Sequence, residues 1–551
     1  GAFEYQAAGL PLAADGKAAV TIVLPPAPGD AQRFAGAELA RYLEKMSGAR
    51  FDLREEDDAI SPSIKLKRSE EKGEVYTISR HEQQIVLSGN SDRTLLYAVY
   101  DFLEKLGCRW LAPDFAMYAG KAEIIPARPD LRYNGPPTIT ERPVYACRKL
   151  DVEEGLSHTT ENLKQLIEWM PKLRFNTLMI PLDYQGSGRV QWDKWRKELT
   201  PELKKRGLLI EVGGHGYQNF INPQMENGRL FDLHPGWFGK DKDCRPSRDM
   251  HLVFNTSDPD AVQYFINNIR EYIKQHPEID IFDLWPPDEA RWAECPEWLA
   301  LGKTEDRQAR LLNQVDSALK QIRPDLKLEM IAYARALLPP EKLTVSNNVL
   351  VDFCPIDQHF EKQIYDTTST ANRHYTAALS AWRKQFSGDI AIYSYYRKYA
   401  WKSLPNVIPH YIQRDMIWYA SVPVQGISTY AEPGDWYTYE LNHYALGHLA
   451  WDPLVNLDSL INLFAWNRYG RFAPLALSAY SLLEELVPHY GNIRYTSLKP
   501  AKRIYQARQR IEKQRKIIQQ AQPKENDSTL TALHRLDLML QYAEMDLSVL
   551  E

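Results

Sequence analysis

The sequence has no uninterrupted apolar run approaching the ~18 residues of a bilayer-crossing helix, so no membrane span is expected. It has no long basic run either, and its formal net charge of −5 argues against nucleic acid or an anionic membrane surface as the main partner. Cysteine is scarce. Cys108, Cys147, Cys244, Cys295 and Cys354 are scattered, odd in number and without a C-x-x-C pair, which excludes a zinc ribbon or a disulfide scaffold and leaves buried small hydrophobes as the expectation. His215, His251, His359 and the acids show no i,i+4 or H-x-E pairing, so no metal and no other cofactor is expected. The glycine-rich first turn by which a doubly wound sheet announces a nucleotide is also missing. The chain opens Gly1-Ala2-Phe3 with neither Met nor a signal peptide, a start compatible with export.

What is present reads as an α/β protein of several domains. Hydrophobic residues make up 44% and charged residues 25%, the balance of a soluble protein, and 551 residues exceed what one core organises. Residues 1–135 read as a small α+β domain. A strand over 19–24 stops at Pro25-Pro26, and Asp30 is expected to cap a helix bearing Phe34, Leu39, Tyr42, Leu43 and Met46 that ends at Gly48. Tyr76 and Ile78, then Ile85 and Leu87, alternate in two further strands. Asp92 is expected to cap a second helix that carries Leu96, Val99 and Leu103 and ends at Gly107. Pro126, Pro129, Pro136-Pro137 and Pro143 punctuate the exit.

Residues 136–453 alternate strand with helix. Strand candidates cover 144–150, 176–182, 208–212, 279–285, 328–332, 349–353, 390–395 and 425–430, the eight that a (β/α)8 TIM barrel needs. Helical periodicity occupies 161–173, 260–274, 307–322, 371–386 and 409–420 between them. Beyond Pro453 the alternation stops. Residues 454–551 read as a helical C-terminal domain, whose basic run 508–516 is expected to be a solvated face.

The densest chemical signal is residues 280–292, Asp-Ile-Phe-Asp-Leu-Trp-Pro-Pro-Asp-Glu-Ala-Arg-Trp. The apolar run suits a strand covered on both faces, and Pro286-Pro287 ends it because neither residue donates to a ladder. Past that break Asp288 and Glu289 can both be aimed into one cleft at the strand's C-terminal end, where parallel α/β folds keep their chemistry. Trp285 and Trp292 would lower the dielectric around one carboxyl group and raise its pKa. The competing reading is a turn whose carboxylates are solvated or cap the next helix.

Polar and aromatic residues follow most other strand candidates. His215 stands after the third, Tyr333 and Arg335 after the fifth, and Asp357-Gln358-His359 after the sixth. Tyr393, Tyr395, Tyr396, Arg397, Tyr399 and Trp401 run along and beyond the seventh, with Glu432, Asp435, Trp436 and Tyr437 after the eighth. Together they describe one lined cavity, and the 31 tyrosines and 14 tryptophans of the chain suit a site that stacks sugar faces while hydrogen-bonding hydroxyls. Taken singly, His215 is equally a loop histidine, Glu432 a structural partner for Arg335 or Arg397, and the tyrosines rim packing.

The run 95–110, Leu-Leu-Tyr-Ala-Val-Tyr-Asp-Phe-Leu-Glu-Lys-Leu-Gly-Cys-Arg-Trp, closes a β-α-β-β-α segment. That segment resembles the N-terminal module preceding the barrel in glycoside hydrolase family 20 hexosaminidases and in α-glucuronidases. Trp285-Pro-Pro-Asp-Glu and Tyr430-Ala-Glu-Pro-Gly-Asp-Trp-Tyr resemble glycoside hydrolase family 163 more specifically. That resemblance implies an endo-β-N-acetylglucosaminidase that acts on the antennae of complex N-glycans. It implies a glycan or glycoprotein as partner, and an exported, periplasmic or cell-surface location in a Gram-negative bacterium. Asp288-Glu289 matches, residue for residue, the adjacent Asp-Glu pair of the family 20 enzymes; elsewhere the barrel shares little with them.

The chemistry points the same way. Two carboxylates that act across a glycosidic bond as nucleophile or base and as acid come from different strands as a rule, because sequence neighbours rarely face each other. In the substrate-assisted variant one carboxylate holds the 2-acetamido N–H while the next acid protonates the leaving oxygen, a task that suits neighbours. Asp288 is therefore expected to orient the acetamido group and Glu289 to act as general acid and then base. His215, Trp285, Tyr333, Arg335, Tyr393, Tyr395, Glu432 and Trp436 are expected to bind substrate. Two alternatives stay open: an exo-acting, β-hexosaminidase-like or α-glucuronidase-like glycosidase using Glu432 as its second carboxylate, and a non-catalytic sugar-binding protein.

Overall fold

The computed structural model describes residues 9–55, 60–152, 159–182, 191–360, 362–397, 405–490, 501–521 and 528–551. Its N-terminal unit is built on a six-stranded sheet in the order Thr138–Glu141, Tyr76–His81, Gln84–Gly89, Ser63–Arg68, Thr21–Leu24, Leu53–Glu55. The last four run parallel, and Tyr76–His81 is antiparallel to both of its neighbours. Helices Asp30–Ser47 and Asp92–Lys105 pack on this sheet and on each other. Their caps are Gly29 and Ser91 rather than Asp30 and Asp92. Ser91 supplies the hydroxyl that accepts the Thr94 N–H, while the two aspartates sit in the first turn, where their charge favours the helix dipole. Thr138–Glu141 lies beyond residue 135 and yet completes this sheet, so the expected boundary falls inside the unit.

Eight parallel strands then close a barrel: Cys147–Asp151, Thr177–Pro181, Leu209–Gly213, Ile281–Asp283, Lys327–Ala332, Leu350–Phe353, Ile390–Tyr393 and Gly426–Tyr430. Each pairs with the next, and the first pairs with the eighth. All eight expected strands are present. Two helices that the periodicity does not reveal join the ring, Gln191–Lys204 and Trp436–Trp451, while the fifth and sixth strands are connected by a loop without a helix.

Alternation along the strands explains both faces. Leu150, Ile210, Val212, Phe282, Leu328 and Met330 are buried, and charged residues stand between them. Lys149, Glu211, Asp283, Glu329 and Asp352 are each at most 1% exposed, so the charges are inside. The Lys149 ammonium on the first strand lies 2.7 Å from Glu211, 3.1 Å from Glu329 and 3.2 Å from Asp352, a reach across the barrel axis. Burial opposes the Lys149 charge, but Asp352, Glu211 and Glu329 together hold its pKa well above the usual value. Burial, then the charges of Glu211 and Glu329, push the Asp283 carboxyl up; burial and Glu211 do the same to Glu329. The interior is thus an ion cluster in which burial and the neighbouring acids make Asp283 and Glu329 harder to ionise than usual. Ligand atoms of Glu211, Asp283 and Glu329 lie within 4.8 Å of one another, the one metal-like grouping among the described residues, and the Lys149 ammonium supplies its positive charge.

The N-terminal unit and the barrel share a core. Arg148, fully buried on the first barrel strand, makes a two-pronged pair with Glu74 at 2.7 and 3.0 Å, and the Trp169 indole N–H donates to the Trp110 carbonyl at 3.1 Å. Helices Leu457–Tyr469, Ala473–Tyr490, Ala501–Ala521 and Ser528–Leu550 follow the barrel. The basic run expected to face solvent is exposed at Arg510, Lys513 and Lys516, and its arginines carry surface ion pairs: Arg508 with Glu551, Arg510 with Glu485, and Arg515 with Asp537 and Glu544.

Lys149→Met leaves the buried acids without their cation and should destabilise the fold by about 3–5 kcal/mol at neutral pH. Urea denaturation checks this, and the loss should shrink on acidification because the remaining carboxylates can then take up protons. A loss that is the same at pH 5 and pH 8 would contradict the ionic role.

Candidate active site

The site is built at the junction of the third and fourth barrel strands. Gly213 closes the third strand with φ +148°, and a Cβ placed there would lie 2.0 Å from the Asp283 carbonyl oxygen, so only glycine allows this approach. The two chains then stay zipped past the ladder. The Trp285 N–H donates to the Gly214 carbonyl at 3.0 Å, and the Trp285 carbonyl accepts from Gly216 and Tyr217 at 2.9 and 3.2 Å.

That zipper sets His215 against the acidic turn. Its Nδ1 is 2.8 Å from the Pro286 carbonyl, which can only accept, so Nδ1 carries the hydrogen. Nε2 is thereby turned to Asp288, 3.7 Å from Oδ1. The same Oδ1 accepts the Glu289 N–H at 3.0 Å. Glu289 has φ +55°, a left-handed conformation that costs a side-chain-bearing residue roughly 1–2 kcal/mol. This twist after the two prolines is what departs from strand alternation at Asp288-Glu289. Glu289 is exposed, and Trp292 stacks under the Arg307 guanidinium at 5.5 Å, so the expected enclosure of Glu289 between two tryptophans is not formed.

Trp285 is 1% exposed and forms the floor. Its indole N–H donates to Glu329 at 2.9 Å, which ties the site to the ion cluster below. Its ring lies 5.1 Å from His215 and 5.9 Å from Tyr393; Tyr393 meets Tyr395 at 5.4 Å and Tyr430 at 5.3 Å, and the Tyr393 and Tyr430 hydroxyls are hydrogen-bonded. Tyr333 joins at 6.2 Å from His215. Side chains from the third, fourth, fifth, seventh and eighth strand ends are thus brought together. Arg335 is exposed on the fifth loop. Tyr399 and Trp401 lie outside the described residues.

Glu432 is 5% exposed, two residues past the eighth strand. Nearby, Asp435 accepts from Arg397 at 2.5 and 2.9 Å; burial and the Glu432 charge push its carboxyl up against the pull of Arg397. Arg397 thus pairs with Asp435. Trp436, expected as a stacking face, is a correction. It begins helix Trp436–Trp451 and is 1% exposed, with its ring 4.5 Å from His443, 5.2 Å from Trp169 and 5.5 Å from Phe115. Residues after the last strand face the cleft only until the helix turns them inward. Cysteine needs a correction too: Cys244 and Cys295 form a disulfide between the third and fourth loops, whereas of the five expected as buried small hydrophobes Cys108 and Cys354 are buried and Cys147 is half-buried.

The family model described as Domain of unknown function (DUF4838) matches residues 117–481, which spans the barrel and every candidate site residue. The chain belongs to the DUF4838 family. No curated protein matches it. Solved structures similar to this DUF4838 chain share its fold. A family GH115 4-O-methyl-α-glucuronidase with specificity for decorated arabinogalactans is 14% identical at a TM-score of 0.67, over 98% of this chain and 73% of that one. A GH138 enzyme targeting pectin rhamnogalacturonan II is 12% identical at 0.63, over 96% and 69%. The GH20 β-N-acetylhexosaminidase of Streptomyces coelicolor A3(2) is 14% identical at 0.53, over 83% and 93%.

Burial, then the Arg397 charge, lowers the His443 pKa to about 3 from its usual value, so His443 is neutral in the folded protein and takes up a proton on unfolding below pH ~6.5. Its contribution is therefore intact above pH ~6.5 and lost as pH falls toward 3. His443→Leu removes that loss. Between pH 6.5 and pH 5 the stability of the variant relative to the parent should rise by roughly 2 kcal/mol. A difference that does not change with pH, measured by chemical denaturation, would contradict a neutral buried His443.

Proposed function

We propose that this DUF4838 protein is a glycosidase, specifically a retaining endo-β-N-acetylglucosaminidase that acts on complex N-glycan antennae with help from the substrate's own acetamido group. The observation that carries the proposal is the Asp288-Glu289 turn, in which Asp288 takes the Glu289 N–H and faces His215 while the left-handed Glu289 stands exposed at the barrel's C-terminal end. Barrels of this kind keep their chemistry at the C-terminal ends of the strands, and the likeness to glycosidase structures supports a glycosidase reaction for this one.

In this mechanism the acetamido carbonyl oxygen attacks the anomeric carbon and forms an oxazoline. Glu289 gives its proton to the departing glycosidic oxygen. Asp288 accepts the acetamido N–H and balances the positive charge that grows on that group. Water then opens the oxazoline as the Glu289 carboxylate takes its proton, so the anomeric configuration is retained over two inversions. His215, anchored through its Nδ1–H on the Pro286 carbonyl, lines the sugar site beside Asp288, and Trp285, Tyr333, Tyr393 and Tyr395 supply its apolar floor and hydroxyls. Arg335 projects from the rim to bind further saccharide. The protein works outside the cytoplasm, a proposal supported by Cys244–Cys295, since disulfides persist in oxidising compartments.

A second reading is favoured by Glu432, a buried carboxyl past the eighth strand: an exo-acting enzyme of the β-hexosaminidase or α-glucuronidase kind with Glu432 as nucleophile or base.

Glu289→Gln should lower turnover of a complex N-glycan by about 10² or more while leaving binding largely intact. Mass spectrometry of the parent's products should reveal a released disaccharide; single sugars would mean exo action, and normal turnover by a folded Glu289→Gln protein would remove the acid from its role.

A thiazoline analogue of the oxazoline should bind far more tightly than the free sugar, and Asp288→Asn should weaken the analogue more than the product. Indifference to the analogue together with labelling of Glu432 by a 2-fluoro glycoside would decide for the second reading.

A further inference from the structure

Glu289 stands on one of two loops that run side by side as a shelf, residues 214–258 after the third strand and 284–303 after the fourth. They are joined at many points. The Cys244–Cys295 disulfide links them across a separation of 51 residues. Leu252 and Arg291 form a parallel bridge, in which the Arg291 N–H donates to His251 at 2.9 Å and the Arg291 carbonyl accepts from Val253 at 3.0 Å. Lys240 pairs with Glu297 at 2.6 Å and lies 5.3 Å over the Trp298 ring. The Arg291 guanidinium is hydrogen-bonded to Asp249.

The outer side of this shelf is polar and open: the side chains of His251, Arg291 and Asp249 are 62%, 55% and 35% exposed. Asp249 accepts the His251 N–H at 2.9 Å, and that bond, with the Arg291 charge, holds its carboxyl below the usual range. A charged fork beside a charged acceptor, two residues from Glu289, offers donors and acceptors to neighbouring hydroxyls. Because the two charges cancel, the pair suits a neutral saccharide better than an acidic one.

An acid that protonates the leaving oxygen must face the departing group, and the bridged part of the shelf begins two residues past the exposed Glu289, which makes it the protein surface next along the chain from that group. We infer that the shelf stapled by Cys244–Cys295 is the leaving-group subsite, and that the Arg291–Asp249 pair is its specificity determinant for neutral, hydroxyl-rich saccharides. The inference rests on the proposed role of Glu289. The staple matters because a wall fixed before binding loses less freedom when the sugar docks.

The test compares p-nitrophenyl β-N-acetylglucosaminide, whose leaving group is too small to span the shelf, with a neutral biantennary N-glycan, and titrates the truncated glycan product. Arg291→Ala should reduce kcat/KM for the glycan at least tenfold more than for the aryl glycoside, mostly through KM, and weaken product binding at least tenfold. Asp249→Asn, which leaves the Arg291 charge unbalanced, should shift preference toward sialylated glycan. Cys244→Ser with Cys295→Ser should move glycan KM in the same direction, with melting curves to separate this from unfolding. Equal losses on both substrates with unchanged product affinity would overturn the subsite while sparing the glycosidase. A parent protein that neither cleaves nor binds these compounds overturns the glycosidase reading and the subsite with it.

Discussion

An ammonium group with no access to water holds the centre of this protein. Lys149 reaches from the first barrel strand to acids on the third, fifth and sixth, and these contacts fix how those strands stagger around the axis. A barrel interior must be filled, and aliphatic side chains would fill it at lower desolvation cost. The ions bring orientation instead. Glu329 is held from below by Lys149 and in turn accepts the Trp285 indole, so the floor of the cleft is positioned by hydrogen bonds with direction rather than by packing alone.

The cleft above inherits that precision through the backbone. The third and fourth strands approach so closely at Gly213 that the chain beyond them remains paired through Trp285, and the pairing puts the His215 ring beneath the Asp288 carboxylate. Two prolines then release the chain from the sheet, and the left-handed Glu289 turns it back. Each step constrains the next, so two adjacent carboxyl groups acquire different surroundings: Asp288 is partnered and half-buried, Glu289 is presented outward.

Much of the fold is legible in the sequence because the barrel strands are apolar runs ended by Gly, Pro or polar residues, and all eight stand where those runs predict. Ser63–Arg68, an alternating strand, escapes notice because lysines occupy its outward positions. Helix Trp436–Trp451 escapes for the opposite reason: it is buried nearly all round and has no polar face to reveal its period. In the site, Asp288-Glu289, His215, Trp285 and the tyrosines are visible as polar or aromatic residues past strand ends. The ion cluster is not, although its signal is present: a lone acid sits in each of the apolar strands at Glu211, Asp283, Glu329 and Asp352, and a charge in a fully buried strand needs a partner. The disulfide is invisible for a different reason, since two cysteines 51 residues apart carry no local pattern.

The two-pronged pair of Arg148 with Glu74 also bears on how the chain becomes a protein. A guanidinium fully buried in the first barrel strand has its carboxylate on the N-terminal unit, and the Tyr97 hydroxyl donates to the Phe175 carbonyl, at the edge of the second barrel strand, across the same boundary at 3.0 Å. The barrel alone would carry an uncompensated cation in its wall. The two units therefore form a single cooperative block rather than beads on a string, in which the small α/β unit supplies the counter-charge that the barrel wall lacks.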